Sequence, residues 1–224
     1  MKWFDPSFLS FFSELETNNN RDWFDANRHI YESQVREPWK SFVAACIEMM
    51  ADWDPAFADG LLPKDVIFRI NRDIRFAKDK SPYKTQVSAG ISPGGKKGSA
   101  PGLYLEASHR GLTIGGGAYW VEKEDLFFLR EKIGKEQNRW KGLVEDEEFT
   151  SRFGQIQGER NKRIDKALQP FAEQNQDIFL KQFYYMGRLP ASVLLRGDLL
   201  EQVRRHARVA EPLRQFLRDG MKGT

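Results

Sequence analysis

At 224 residues and 26.0 kDa, with 40% hydrophobic, 13% aromatic and 30% charged residues, the chain can bury roughly 70% of its unfolded surface and is too aromatic to stay disordered. One cysteine excludes an internal disulfide framework and a multi-cysteine zinc or iron–sulfur site, and three histidines leave little for a histidine metal centre. The net charge of +3 is unevenly spread: residues 64–97 hold nine Lys/Arg against three Asp, so the rest of the chain is net acidic, the pattern of a local anion site rather than a nucleic-acid coat.

Met1-Lys2-Trp3-Phe4 begins like a secretory leader, but Asp5 and Pro6 break it before an apolar stretch forms. No window approaches the ~20 apolar residues of a membrane helix. A lone cysteine without an export signal leads to the expectation of a cytoplasmic protein.

Phe8, Phe11, Phe12 and Leu15 fall at i, i+3, i+4 and i+7, one stripe of a first helix that Asn18-Asn19-Asn20 ends. Asp22 is the expected N-cap of a second helix running through Trp23, Ile30, Tyr31 and Val35. Pro38 suits the first turn of a third, which carries Trp39, Phe42, Val43, Cys46, Ile47 and Met50 to a core. The period then changes. Val66, Phe68 and Ile70 alternate with Ile67, Arg69 and Asn71 as a short strand; Thr85 to Ile91, Leu103 to Ala107 and Leu112 to Ile114 read as further strands, with His109-Arg110-Gly111 as a hairpin connection. Strands without intervening helices predict an antiparallel sheet. Gly115-Gly116-Gly117 reads as a bend after the last of these, ahead of a helix from about Val121. Helical spacing returns at Leu126 to Ile133 and Trp140 to Val144; Gly154 to Asn161 reads as loop and Phe183 to Met186 as one more strand. A final helix from about Asp198 to Leu217 is kinked or split by Pro212, and its Arg204, Arg205 and Arg208 read as a solvated face. The expectation is a single α+β domain over 1–224: N-terminal helices at 6–53, a central antiparallel sheet at 64–118 and a mainly helical region at 121–220.

The richest stretch for chemistry runs from Phe68 to Thr85. Arg69, Arg72, Arg75, Lys78, Lys80 and Lys84 are candidate anion ligands, with Asn71 and Tyr83 to orient a bound group. Arginine offers planar two-point donation to phosphate or carboxylate and lysine a point charge. Asp73, Asp79 and Glu106 are the candidate acid/base groups, or alternatively the partners of those cations. Gly94-Gly95-Lys96-Lys97-Gly98 reads as a basic loop beside it. No phosphate-loop or nucleophile-elbow motif is present. Cys46 reads as a buried apolar side chain, and His29, His109 and His206 have no ligand partner at metal-site spacing. Neither a metal nor a cofactor is expected.

Asn18 to Phe24, Tyr31-Glu32, Pro63-Lys64, the RDxRF and KDKSPYKT cores within Phe68 to Thr85, Pro101 to Leu105 and the Gly115 to Gly117 run together resemble the bacterial and fungal family named domain of unknown function 2461. The resemblance covers most of residues 4–135 and loosens after about Gly154. Ala77 stands where the family usually has serine, and Val121 where a proline commonly follows the Gly-rich strand. The resemblance implies an intracellular, single-domain α+β protein and no particular reaction.

Three readings of the basic segment follow. In the first it binds a small phosphorylated or carboxylated ligand, with or without catalysis, which requires its head groups to converge on one pocket. In the second its cations track nucleic-acid phosphates while Tyr83, Phe76 and Tyr104 stack on bases. In the third it is a structural ion-pair network of a non-enzymatic interaction protein.

Overall fold

The structure, a computed structural model, describes residues 1–57 and 60–221, with the backbone alone at Lys97. Asp5 caps helix α1 (Pro6–Thr17) by accepting from the Ser7 N–H, and the helix buries Phe8, Phe11, Phe12 and Leu15 before ending at Asn18. Helix α2 (Arg21–Ala26) is capped by Asn20, whose side chain accepts from the Trp23 N–H. The cap is therefore Asn20 and not Asp22, which lies in the first turn, where its charge suits the helix dipole. The second helical stretch is not continuous: α3 (Arg28–Ile30) passes through a π-helical segment at Tyr31–Arg36 into α4 (Glu37–Ala51). Pro38 sits in the first turn of α4, as its missing N–H allows.

The predicted strand at 66–71 does not form. Pro63 starts a short helix α5 (Pro63–Val66), with Asp65 accepting from the Leu62 N–H. Beyond it the chain makes only isolated bridges, Ile67 to Ala89 and Asn71 to Tyr83. At the second bridge Pro82 accepts from the Arg72 N–H but has no N–H to donate in return, which stops the ladder there. The sheet itself is β1 (Val87–Ile91), β2 (Gly102–Ser108), β3 (Gly111–Ala118) and β4 (Phe183–Leu189), antiparallel throughout and ordered β1-β2-β3-β4. The glycine run is not a bend: Gly115 to Gly117 lie inside β3, paired with β2 and β4. Helices α6 (Lys123–Lys135), α7 (Gln137–Val144), α8 (Glu147–Phe153) and α9 (Gln169–Ala172) fill the long crossover from β3 to β4. The final helix is split into α10 (Leu199–Val209) and α11 (Glu211–Asp219), with Pro212 in the first turn of α11.

The register decides where the core lies. Ala89, Leu105 and Ile114 share one cross-strand row, and Val87, Ala107, Leu112 and Leu189 another, all on one face. That face meets α1, α4 and α10 in one buried cluster around Phe8, Phe12, Trp39 and Phe42. On the same face Phe183 and Tyr185 of β4 join Leu129, Trp140, Phe149 and Phe216 in a second cluster. Cys46 is fully buried in the first cluster, and burial pushes its thiol up, as expected of an inert side chain.

An ion cluster ties the N-terminal helices to the C-terminus. Asp54 and Arg214 are 6% and 2% exposed. Arg214 Nη1 and Arg218 Nη2 each donate to Asp54 Oδ2 at 2.6 Å, Arg214 also bonds Glu211, and Trp53 Nε1 donates to Glu211 at 3.2 Å. Arg208, from the face expected to be solvated, lies 4.1 Å over the Trp53 ring. Among the described residues no helix is long and apolar enough to cross a membrane.

Burial alone would raise the Asp54 carboxyl, but Arg218, Arg214 and the Ala56 N–H hold it at about 2, below its ordinary 3.8. A carboxyl depressed in the folded state stabilises fully above its unfolded pKa and loses that contribution as pH falls through the folded one. Asp54→Asn is expected to cost about 3–5 kcal/mol at neutral pH, because it leaves buried guanidiniums uncompensated. It is also expected to flatten the fall in stability between about pH 4 and 2. Urea unfolding of both proteins across that range checks this; a neutral-pH loss below about 1 kcal/mol, the size of an exposed pair, contradicts it.

Candidate functional site

With the helices on one face, the opposite face of the sheet presents Ser88 and Gly90 from β1, Gly102, Tyr104 and Glu106 from β2, Gly115 and Gly117 from β3, and Tyr184 and Met186 from β4. Four of these positions are glycines, so the floor between the larger side chains is bare backbone. Gly117 has φ +105, and a Cβ there would fall 2.2 Å from the Phe183 carbonyl oxygen, so β3 and β4 approach too closely for any side chain. Above this floor is a cavity of about 490 Å³. Phe68, Lys84, Gln86, Tyr119, Trp120, Ser92, Lys96 and Gly98 to Ala100 line it beyond the sheet. Tyr119 and Trp120 are 49% and 70% exposed.

Three polar groups give the cavity its chemistry. Tyr104 Oη donates to Glu106 Oε2 at 2.9 Å on the floor, and burial pushes the phenol well above its ordinary pKa, with the Glu106 charge adding to the effect. The Lys84 ammonium lies 5.5 Å from the Phe68 ring centroid. Burial pulls its pKa down and nearby Arg69 adds to that, while Glu106 acts in the opposite sense. Lys96 Nζ donates to the Lys64 and Ile67 carbonyls at 2.9 and 3.1 Å.

The basic segment is a narrow antiparallel ribbon. Arg72 N–H donates to the Pro82 carbonyl and Lys84 N–H to the Ile70 carbonyl. Asn19 fixes it to the helices, donating to the Tyr83 carbonyl at 2.9 Å and accepting from the Tyr83 N–H at 3.1 Å. The Tyr83 ring is buried and stacked on Phe24 at 3.9 Å. Away from this anchor the charges pair within the ribbon. Arg72 donates to Asp79 at 2.5 Å and to the Ser81 carbonyl at 3.0 Å. Arg75 grips Asp73 with Nη2 at 2.7 Å and Nε at 3.0 Å, and Lys80 bonds the Ile74 carbonyl at 3.0 Å. Arg75 holds the Asp73 carboxyl at about 2, and Ser81, then Arg72, hold that of Asp79 far below its usual range. Arg69, Asn71 and Lys78 are exposed.

Of the eight candidate ligand residues, the structure brings Lys84 to the cavity and spreads the others along the ribbon; of the acid/base candidates, Glu106 lies next to it, bonded to the lining residue Tyr104. Ser88, Gly90, Tyr184 and Met186 were not anticipated. Ser88 and Gly90 were legible as the polar half of the β1 alternation. Tyr184 and Met186 carried no local signal, because they reach the site only when β4 pairs with β3 across a crossover of more than sixty residues. His109 lies against Glu16 at 2.9 Å, on α1. Among the described residues no group of three or more His, Cys, Asp or Glu is poised for a metal ion.

A family model described as a conserved hypothetical protein (DUF2461) matches residues 7–216. The match therefore runs through the last third of the chain, including β4, α10 and the first part of α11, beyond the region where the sequence resemblance was strongest. No curated protein and no solved structure matches the chain.

The Asn19 clamp yields a direct test of how the ribbon is held. Asn19→Ala removes both hydrogen bonds to the Tyr83 backbone and is expected to cost about 1–3 kcal/mol. Arg72→Ala removes an ion pair to an exposed carboxylate and one bond to the Ser81 carbonyl, and is expected to cost about 0–1 kcal/mol. Denaturant midpoints of the two variants check the order; an Arg72 effect larger than that of Asn19 contradicts it.

Proposed function

The chain belongs to the conserved hypothetical protein family DUF2461, and for this member we propose that the cavity on the open face of the sheet binds a small organic anion, a carboxylate or phosphate ester with an apolar body. The observation that carries this reading is the pairing of two lysines, Lys84 and Lys96, with aromatic walls around about 490 Å³, within the size range of small-molecule sites. Neither ammonium has a carboxylate within 4 Å among the described residues, whereas eighteen other lysines and arginines among them do. Lys96 spends two donors on carbonyls, and a lysine ammonium has three. Phe68, Tyr119, Trp120, Tyr184 and Met186 supply contact for the body of the ligand.

A single-stranded nucleic acid would use the same aromatics and place phosphates on the ribbon. The ribbon favours the small anion instead, since Arg72, Arg75 and Lys80 are held by Asp79, Asp73 and the Ile74 carbonyl.

A thermal-shift screen with aryl and alkyl carboxylates, phosphate esters and oligonucleotides, at low and high salt, tests both. A ligand at 100 times its Kd adds about 2.7 kcal/mol. The expected result is stabilisation by a small anion that is lost in Lys84→Ala and in Gly90→Leu, whose side chain projects into the cavity beside Phe68. Stabilisation that survives both variants contradicts the site. Stabilisation by oligonucleotides alone, vanishing at high salt, establishes the nucleic-acid reading in its place.

A further inference from the structure

We propose that the Lys84 amine forms an imine with the ligand, which narrows the ligand class to small oxo acids, with the carbonyl at Lys84 and the acid group at Lys96. This rests on the reading of the cavity as an organic-anion site.

Two lysines in one site have different surroundings. Lys96 is tethered by two carbonyl acceptors, which fixes its position and suits an anion anchor. Lys84 has no hydrogen bond or ion pair to its Nζ among the described residues; it is half-buried, lies over the Phe68 ring and faces the cavity. Its charged neighbours are Arg69 and Glu106. Burial and Arg69 both disfavour its ammonium, so the neutral amine is more accessible than in an ordinary surface lysine. A desolvated lysine beside a second cation is a recognised route to an amine nucleophile. The acid/base group the step requires is Glu106, on the open face of β2, which accepts at 2.9 Å from the Tyr104 hydroxyl that lines the cavity.

The step balances without oxidant or reductant. The neutral Lys84 nitrogen attacks the carbonyl carbon, the C–N bond forms, and the carbonyl π pair moves to oxygen. Glu106 takes one N–H proton and returns it to that oxygen. The second N–H proton is lost as the C–O bond breaks, and the oxygen leaves as water with both protons. The product is the imine and one water, and hydrolysis reverses it.

Phenylpyruvate, with sodium cyanoborohydride to reduce any imine to a stable amine, probes this on the full chain; phenyllactate, which lacks the carbonyl, reports cavity binding alone. Intact mass and peptide mapping are expected to show one adduct per chain, on Lys84, in excess over every other lysine. Lys84→Arg keeps a cation and is expected to lose the adduct while still being stabilised by phenyllactate. Glu106→Gln is expected to slow adduct formation with phenyllactate binding retained. Mapping in the unmodified sequence stands even where a variant folds poorly. An adduct spread evenly over surface lysines, or persisting in Lys84→Arg, overturns the imine. Phenyllactate stabilisation without any phenylpyruvate adduct overturns the imine and leaves the cavity reading standing. Neither stabilisation nor adduct overturns both.

Discussion

Alternation in β1 to β4 sends Val87, Ala89, Ile91, Leu103, Leu105, Ala107, Leu112 and Ile114 to one face of the sheet. The two buried clusters form on that face, one under β1 to β3 and one under β4. Each strand residue moved from water to this side contributes about 25 cal/mol per Å² of apolar surface. A slip of one residue would exchange the faces and expose the set to water. The position of the cavity follows from the same constraint. With the helices gathered on the apolar side, the other side keeps its small and polar residues and, among the described residues, is walled by loops and by the ribbon at 68–84.

That division of labour also explains where charge resides. The Asp54–Arg214–Arg218 cluster is buried and joins elements far apart in the chain. A buried pair of this kind is costly to break, though weak as a net source of stability. The ribbon pairs, Arg72 with Asp79 and Arg75 with Asp73, are local, and their carboxylates are exposed. They shape the turn and neutralise it. Lys84 differs from Arg72 and Arg75 because it sits next to Phe68, near the start of β1, with no ion pair to either aspartate.

The candidate site was partly legible. Six cations between Arg69 and Lys84 announced a functional segment, yet charge density along a sequence does not reveal which charges are already paired. Asp73 and Asp79 pair two residues or seven residues away through turns whose geometry only the folded ribbon sets. Tyr83 looked like a ligand side chain and is a stacked anchor on Phe24, held by Asn19 from 64 residues away. Gly115 to Gly117 looked like a bend; the close approach of β4, invisible without knowing that pairing, is what excludes side chains there.

By itself the sequence determined the α+β class, the helical stripes at Phe8 to Leu15 and Trp39 to Met50, the hairpin of β2 and β3, the split at Pro212 and the buried, inert Cys46. These depend on local periodicity, on proline and on short-range turns, all of which operate within a few residues. Only the tertiary structure decided that 66–71 is no strand, that β4 completes the sheet beside β3, and that Lys84, Lys96, Tyr104 and Tyr184 surround one cavity. Those facts depend on which distant backbone groups pair and which faces bury, and such pairings are set by the packing of the whole chain rather than by any stretch of it.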